Sequence, residues 1–218
     1  MNKNDLKKYL EKLNLALRDK DYSKANSYLK TLSEKFPKNY SYKINLATTY
    51  RTLDQPNNAL FYFREAEKLN NKDYILYFNL GNLLVEDLDE PNEGIKCYLE
   101  SLKLNPNSID CWHNLSMLYV KIGKFDMAIE VCNKILSMSP QNFNGNYLKG
   151  FSILFMGFPK KAKLFIERAL EIKNDAGALN ALSRINLQLG NTNEGVRQGA
   201  ESEGAFVFYS DSRTYSAI

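Results

Sequence analysis

Residues 112–140 read WHNLSMLYVKIGKFDMAIEVCNKILSMSP. Apolar residues fall at helical spacing on both sides of Gly123-Lys124, which predicts two short amphipathic helices joined by a tight turn. Versions of this stretch recur along nearly the whole chain. With Trp112 at position 4 and Pro140 at position 32 of a 34-residue unit, the units cover residues 6–39, 40–73, 74–108, 109–142 and 143–175. A partial, decaying sixth unit takes 176–195. The third unit holds one extra residue, placed by the sequence in the inter-helix turn around Leu88-Asp89-Glu90.

Small residues form the firmest ladder. Position 20 is Ala25, Ala59, Gly94, Ala128, Ala162 and Gly195; position 8 is Ala47, Gly81, Ser116, Gly150 and Ser183, with Leu13 departing in the first unit. Two helices that cross closely need small side chains at the crossing. Proline marks the start of the second helix (Pro56, Pro91, Pro159) and the stop after it (Pro37, Pro106, Pro140). Large residues fill the space between, including Leu46, Leu80 and Leu115 at position 7 and Phe63, Tyr98 and Cys132 at position 24. A single hairpin cannot bury such a two-sided apolar surface, so the units must stack on one another.

Trp112, Leu115, Tyr119, Ala128 and Pro140, with Gly81 from the preceding unit, sit where the tetratricopeptide repeat (TPR) pattern wants them. The chain resembles that family from residue 6 to about 195. The resemblance implies an all-α, right-handed solenoid of antiparallel helix hairpins, five full repeats plus a degenerate sixth, with a concave groove lined by the first helix of each hairpin. Residues 196–218 remain as a weakly structured or strand-like tail, since Gly204-Ala205-Phe206-Val207-Phe208-Tyr209-Ser210 is rich in strand-forming residues.

The bulk composition agrees with a folded chain: 44% hydrophobic, 25% charged, net charge +4. That charge gives no reason to expect a nucleic-acid partner. Cys97, Cys111 and Cys132 are odd in number and lack metal-type pairing. The polar start is unlike a secretory signal, and the apolar run 151–158 is too short to span a bilayer, so a cytoplasmic protein is expected. Charge is uneven: residues 1–39 carry ten Lys/Arg against five Asp/Glu, and 74–108 two against six.

Catalytic candidates are scarce. The single histidine, His113, has no nucleophile–base–orienter set around it in sequence, and no cofactor or metal is expected. The carboxylates Glu86, Asp87, Asp89, Glu90 and Glu93 lack the alternating spacing of a calcium loop. Binding suits the surface better. The family places positions 2, 5, 6, 9, 12 and 13 on the concave face, and position 6 reads Asn45, Asn79 and Asn114 in consecutive units. A carboxamide both donates and accepts, so such a row suits a peptide backbone of any sequence; it resembles the asparagine ladder of O-linked N-acetylglucosamine transferases. Phe78, His113 and Tyr147 at position 5, and Asn82, Met117 and Phe151 at position 9, add aromatic and methionine anchors. The carboxylate grip of chaperone-binding members is not expected, because Phe78, Asn144 and Leu148 stand where its three cations would be. The expected function is therefore a non-enzymatic scaffold that binds an extended or helical peptide of a partner protein. The alternative is the TPR arm of a larger or associated enzyme, of glycosyltransferase, sulfotransferase or oxygenase type. Self-association through the C-terminal end is a third expectation.

Overall fold

A computed structural model describes residues 3–206. The chain divides into two compact units, residues 1–106 and 107–218. Unit 1 holds three hairpins: α1 (Lys3–Arg18) with α2 (Tyr22–Lys35), α3 (Tyr40–Thr52) with α4 (Pro56–Leu69), and α5 (Tyr74–Asn82) with α6 (Pro91–Leu104). Unit 2 holds three more: α7 (Ile109–Lys121) with α8 (Phe125–Met138), α9 (Phe143–Phe155) with α10 (Pro159–Ile172), and α11 (Ala176–Gln188) with α12 (Thr192–Phe206). The described residues contain helices and turns and no strand.

The first helix of a hairpin starts on a side-chain cap. Asn39, Asp73, Ser108, Asn142 and Asp175 accept from backbone N–H groups in the first turns of α3, α5, α7, α9 and α11, satisfying donors that a helix start otherwise leaves orphaned. Three second helices start instead on Pro56, Pro91 and Pro159, whose missing N–H leaves one orphan fewer.

All six described hairpin turns use one left-handed residue at position 15. Lys20, Asp54 and Asp89 have φ of 57°, 56° and 52°, and Gly123, Gly157 and Gly190 take φ of 73°, 85° and 83°. Only glycine enters that region without a Cβ clash. Lys20→Gly is therefore expected to stabilise unit 1 by roughly 0.5–1 kcal/mol, as the relief of αL strain exceeds the extra chain entropy. A shift in the urea midpoint would read it out.

The extra residue of the third unit is not in the turn. Leu88-Asp89-Glu90 repeats the geometry of Leu53-Asp54-Gln55, with the left-handed residue in the middle. The chain absorbs the insertion one turn earlier, where Leu83–Asp87 forms a π-helical turn. There Leu88 N–H donates to Leu83 O, five residues back, where Leu53 N–H donates to Thr49 O, four back. A one-residue bulge of this kind keeps the turn intact and displaces only the helix side chains beside it. Val85 is thereby brought against Gly94, and a Cβ at Gly94 would collide with Val85 Cγ2. This explains why position 20 is glycine there and alanine in the first, second, fourth and fifth units. The acidic residues Glu86 and Asp87 belong to the same turn. Arg51 of α3 clasps both, NH2 to Glu86 Oε2 and Nε to Asp87 Oδ2, each at 2.6 Å.

The small ladders lie at the helix crossings. A Cβ on Gly81 would sit 2.7 Å from two ring atoms of buried Tyr98, and one on Gly150 would meet Ile166 Cδ1 at 2.8 Å and its backbone N at 3.1 Å. Around them the unit 1 core gathers Ala47, Ala59, Phe63, Leu76, Leu80 and Leu84. The last two hairpins of unit 2 share Leu154, Ile166, Ala178, Leu182 and Ile185. Buried polar groups are tied internally: Ser101 Oγ donates to Tyr74 O and Asn26 Nδ2 to Thr49 Oγ1.

The structure corrects one boundary. The repeat pattern closes the array at 195 and predicts a loose or strand-like tail from 196, but α12 continues to Phe206. Gly195 and Gly199 are tolerated because they pack: Leu187 and the Ser183 carbonyl lie against the first, and Ser183 Oγ against the second. Residues 207–210, which carry most of the strand-like pattern, lie outside the described residues.

Candidate functional site

The candidate residues lie on the first helices of their hairpins, and each unit carries its own set. In unit 1, Asn45 lies exposed on α3 and Asn79 half-buried on α5. Phe78 is half-buried and tilted against Tyr98, ring centroids 6.3 Å apart. The Tyr98 hydroxyl donates to Asn82 Oδ1 at 2.7 Å. Phe78 and Asn82 are thus engaged in holding α5 to α6, which leaves Asn45 and Asn79 as the two candidate residues of this unit without such a role.

Unit 2 is richer. Positions 1, 5, 9 and 13 of its middle hairpin are Phe143, Tyr147, Phe151 and Phe155, at successive intervals of four along α9. That spacing lays their rings one above another. Centroids are 5.8 Å apart for Phe143–Tyr147, 5.9 Å for Tyr147–Phe151 and 4.5 Å for Phe151–Phe155. Phe125 of α8 stacks on Phe155 at 5.3 Å, and the Arg184 guanidinium lies over Phe155 at 5.2 Å. The result is an aromatic ridge running the length of α9.

A furrow flanks the ridge on each side. One, of about 370 Å³, is lined by Met117, Val120 and Lys121 of α7 and by Tyr147, Leu148 and Phe151 of α9. The other, of about 150 Å³, runs between α9 and α11 and shares Tyr147 and Phe151 with the first. Its far wall is Gly177, Asn180, Ala181 and Arg184. Gly177 leaves room for the tyrosine, since a Cβ there would lie 3.0 Å from the Tyr147 hydroxyl. Of the residues expected from the sequence, Met117, Tyr147 and Phe151 thus come together. Val120, Lys121, Leu154, Asn180 and Arg184 were missed. All five occupy positions 5, 9, 12 or 13, the same set used for the others, and scanning it through the sixth unit would have found them.

His113 and Asn114 stand on α7 beside this surface, both half-buried. Burial pushes the His113 imidazole below its ordinary pKa, opposed by a side-chain hydrogen bond with Asn114 and by the Asp110 carboxylate. The neutral ring is the form that fits. Because the folded pKa lies below the unfolded one, the stabilisation is complete above about pH 6.5 and is lost as pH falls through the folded value. Between pH 7 and 5 the urea midpoint is expected to fall more in the parent protein than in His113→Gln.

Cys97 and Cys132 are both buried and free. Burial pushes the Cys97 thiol up to about 11 and the Cys132 thiol up to about 12, which suppresses the thiolate. No group of three or more His, Cys, Asp or Glu that could hold a metal ion occurs among the described residues. Among them, too, no helix is long and apolar enough to cross a membrane.

Tetratricopeptide repeat family profiles match residues 40–73, 74–108 and 97–130. They make the hairpins between residues 40 and 130 tetratricopeptide repeats, and the remaining described hairpins have the same form. Solved structures agree on the fold. MamA from Desulfovibrio magneticus RS-1 is 17% identical with a TM-score of 0.71, over 79% of this chain and 97% of that one. PilW, a type IV pilus biogenesis factor, is 19% identical with a TM-score of 0.72, over 96% and 97%. YrrB, described as a TPR protein with an unusual peptide-binding site, is 14% identical with a TM-score of 0.69, over 83% and 93%. No curated protein matches the sequence.

Proposed function

We propose that this protein is a non-enzymatic interaction scaffold that holds a peptide segment of a partner protein on the first-helix face, with the aromatic ridge of α9 as the principal anchor. The ridge with its two furrows carries this reading. It presents large, rigid rings next to adaptable Met117, and each furrow offers an apolar floor for an inserted side chain. YrrB, which shares the fold, is a precedent for peptide binding on such an array. Asn45 and Asn79 supply a second, polar contact surface of the kind that pairs with peptide backbone.

Selection of random peptides displayed on phage tests the reading, with Met117→Ser/Phe151→Ser as the counter-selection. Peptides that bind the parent protein and not the double variant support it. Selection that returns no peptides, or peptides that bind both proteins equally, would sink it.

A further inference from the structure

The α9–α10 turn differs from every other described hairpin turn, and the difference is chemical. Position 13 is polar in the other five hairpins: Arg18, Thr52, Asp87, Lys121 and Gln188. In this one it is Phe155. Position 16 is Asp21, Gln55, Glu90, Lys124 and Asn191 elsewhere, and Phe158 here. The repeat geometry therefore does not require an aromatic residue at either place. Both are well exposed, Phe155 at 45% and Phe158 at 49%, and Met156 between them is 37% exposed. Three large apolar side chains thus project from four consecutive residues, with Gly157 at φ +85° forming the tight bend. Removing such a cluster from water is favourable, and its exposure calls for a partner.

Cations surround the tip. Lys160 and Lys161 follow Pro159 directly in the first turn of α10, and the Lys161 ammonium sits 5.3 Å from the centre of the Phe158 ring. Lys124 in the neighbouring turn is exposed, and Arg184 rests on Phe155. The acidic residues of the adjoining turns are Asp126 in the first turn of α8 and Glu194 in the first turn of α12. Cations therefore outnumber anions around an apolar knob.

We propose that this turn is a docking tip for a bilayer surface carrying anionic headgroups. Phe155, Met156 and Phe158 would enter the interfacial layer, and Lys124, Lys160 and Lys161 would lie against the headgroups. A convex bend of flexible and aromatic side chains suits a soft, deformable surface, whereas a protein partner would need a matching pocket. Phe155 is shared with the ridge, so the test changes only Met156 and Phe158, which line neither furrow.

Co-sedimentation of the full chain with vesicles tests it. The protein should pellet with vesicles of phosphatidylcholine and phosphatidylglycerol, bind poorly to phosphatidylcholine alone, and be released as salt is raised. Met156→Ser/Phe158→Ser should weaken binding by at least about tenfold, since it removes two large apolar side chains from the interfacial layer. Lys160→Glu/Lys161→Glu should abolish the preference for phosphatidylglycerol. Both variants alter exposed side chains and should retain the helical circular dichroism of the parent. Absence of binding to either vesicle at low salt would overturn the proposal and leave the tip as a protein contact. So would a serine variant that pellets like the parent.

Discussion

Gly150→Val is expected to destabilise the protein by about 3 kcal/mol, lowering the midpoint of a thermal melt followed by helical circular dichroism by roughly 10 °C. The added atoms would meet Ile166 Cδ1 at 2.8 Å and Cγ1 at 2.9 Å, and those can rotate away. The Ile166 backbone N at 3.1 Å cannot, because it belongs to the rigid helix α10. Relief then requires the α9–α10 hairpin to open, which strips packing from Ala162 and Ile166. Helix propensity works the other way, since glycine is the poorer helix former, but by only a few tenths of a kcal/mol. Gly157→Ala is the matched control. Nothing lies within 4 Å of a Cβ there, so only its φ of +85° opposes the change, at about 1 kcal/mol. A midpoint for Gly150→Val no lower than that for Gly157→Ala would mean that the small ladder does not set the helix spacing.

The same contrast explains what could be read from the sequence. Side chains at a crossing are restricted to the smallest few, so Ala25, Ala59, Ala128 and Ala162 reveal the period without any structure. Proline at helix starts is equally restrictive. The inserted residue of the third unit was visible as a count, but its place was not. Leu88-Asp89-Glu90 looks like a turn whether or not it holds the insertion. The energetic choice between a longer loop and a π-helical turn depends on how Val85, Gly94 and the Arg51 clasp fit together. The helical reach of α12 was hidden for a related reason: its glycines weaken it locally, and packing against Ser183 and Leu187 compensates. For the candidate site, the identity of groove positions was legible and their division of labour was not. Phe78 and Phe151 occupy neighbouring positions of the pattern. Yet Phe78 meets Tyr98 within its own hairpin, while Phe151 belongs to a ridge open on both flanks. A sequence pattern gives the face of a helix. How much of that face the adjoining hairpins cover is a tertiary property.

That difference leads to the second large effect. Against a peptide selected on the parent protein, Phe151→Ala is expected to lose about 2–4 kcal/mol of binding, or roughly 30- to 1,000-fold in Kd by isothermal titration calorimetry. Phe151 sits between Tyr147 at 5.9 Å and Phe155 at 4.5 Å on the ridge, and it walls both furrows. Its truncation removes a contact surface from each furrow and frees Tyr147 and Phe155 to move. The cost in stability should be smaller than for a core residue, because the ring is half-buried and rests on its own helix. Asn79→Ala provides the scale: a single backbone-type hydrogen bond contributes about 1 kcal/mol, so a loss near fivefold is expected. The order of these two numbers is what distinguishes an aromatic anchor from an asparagine ladder. Were Asn79→Ala the more damaging, the partner would be held chiefly by its backbone, and unit 1 would be the principal binding surface.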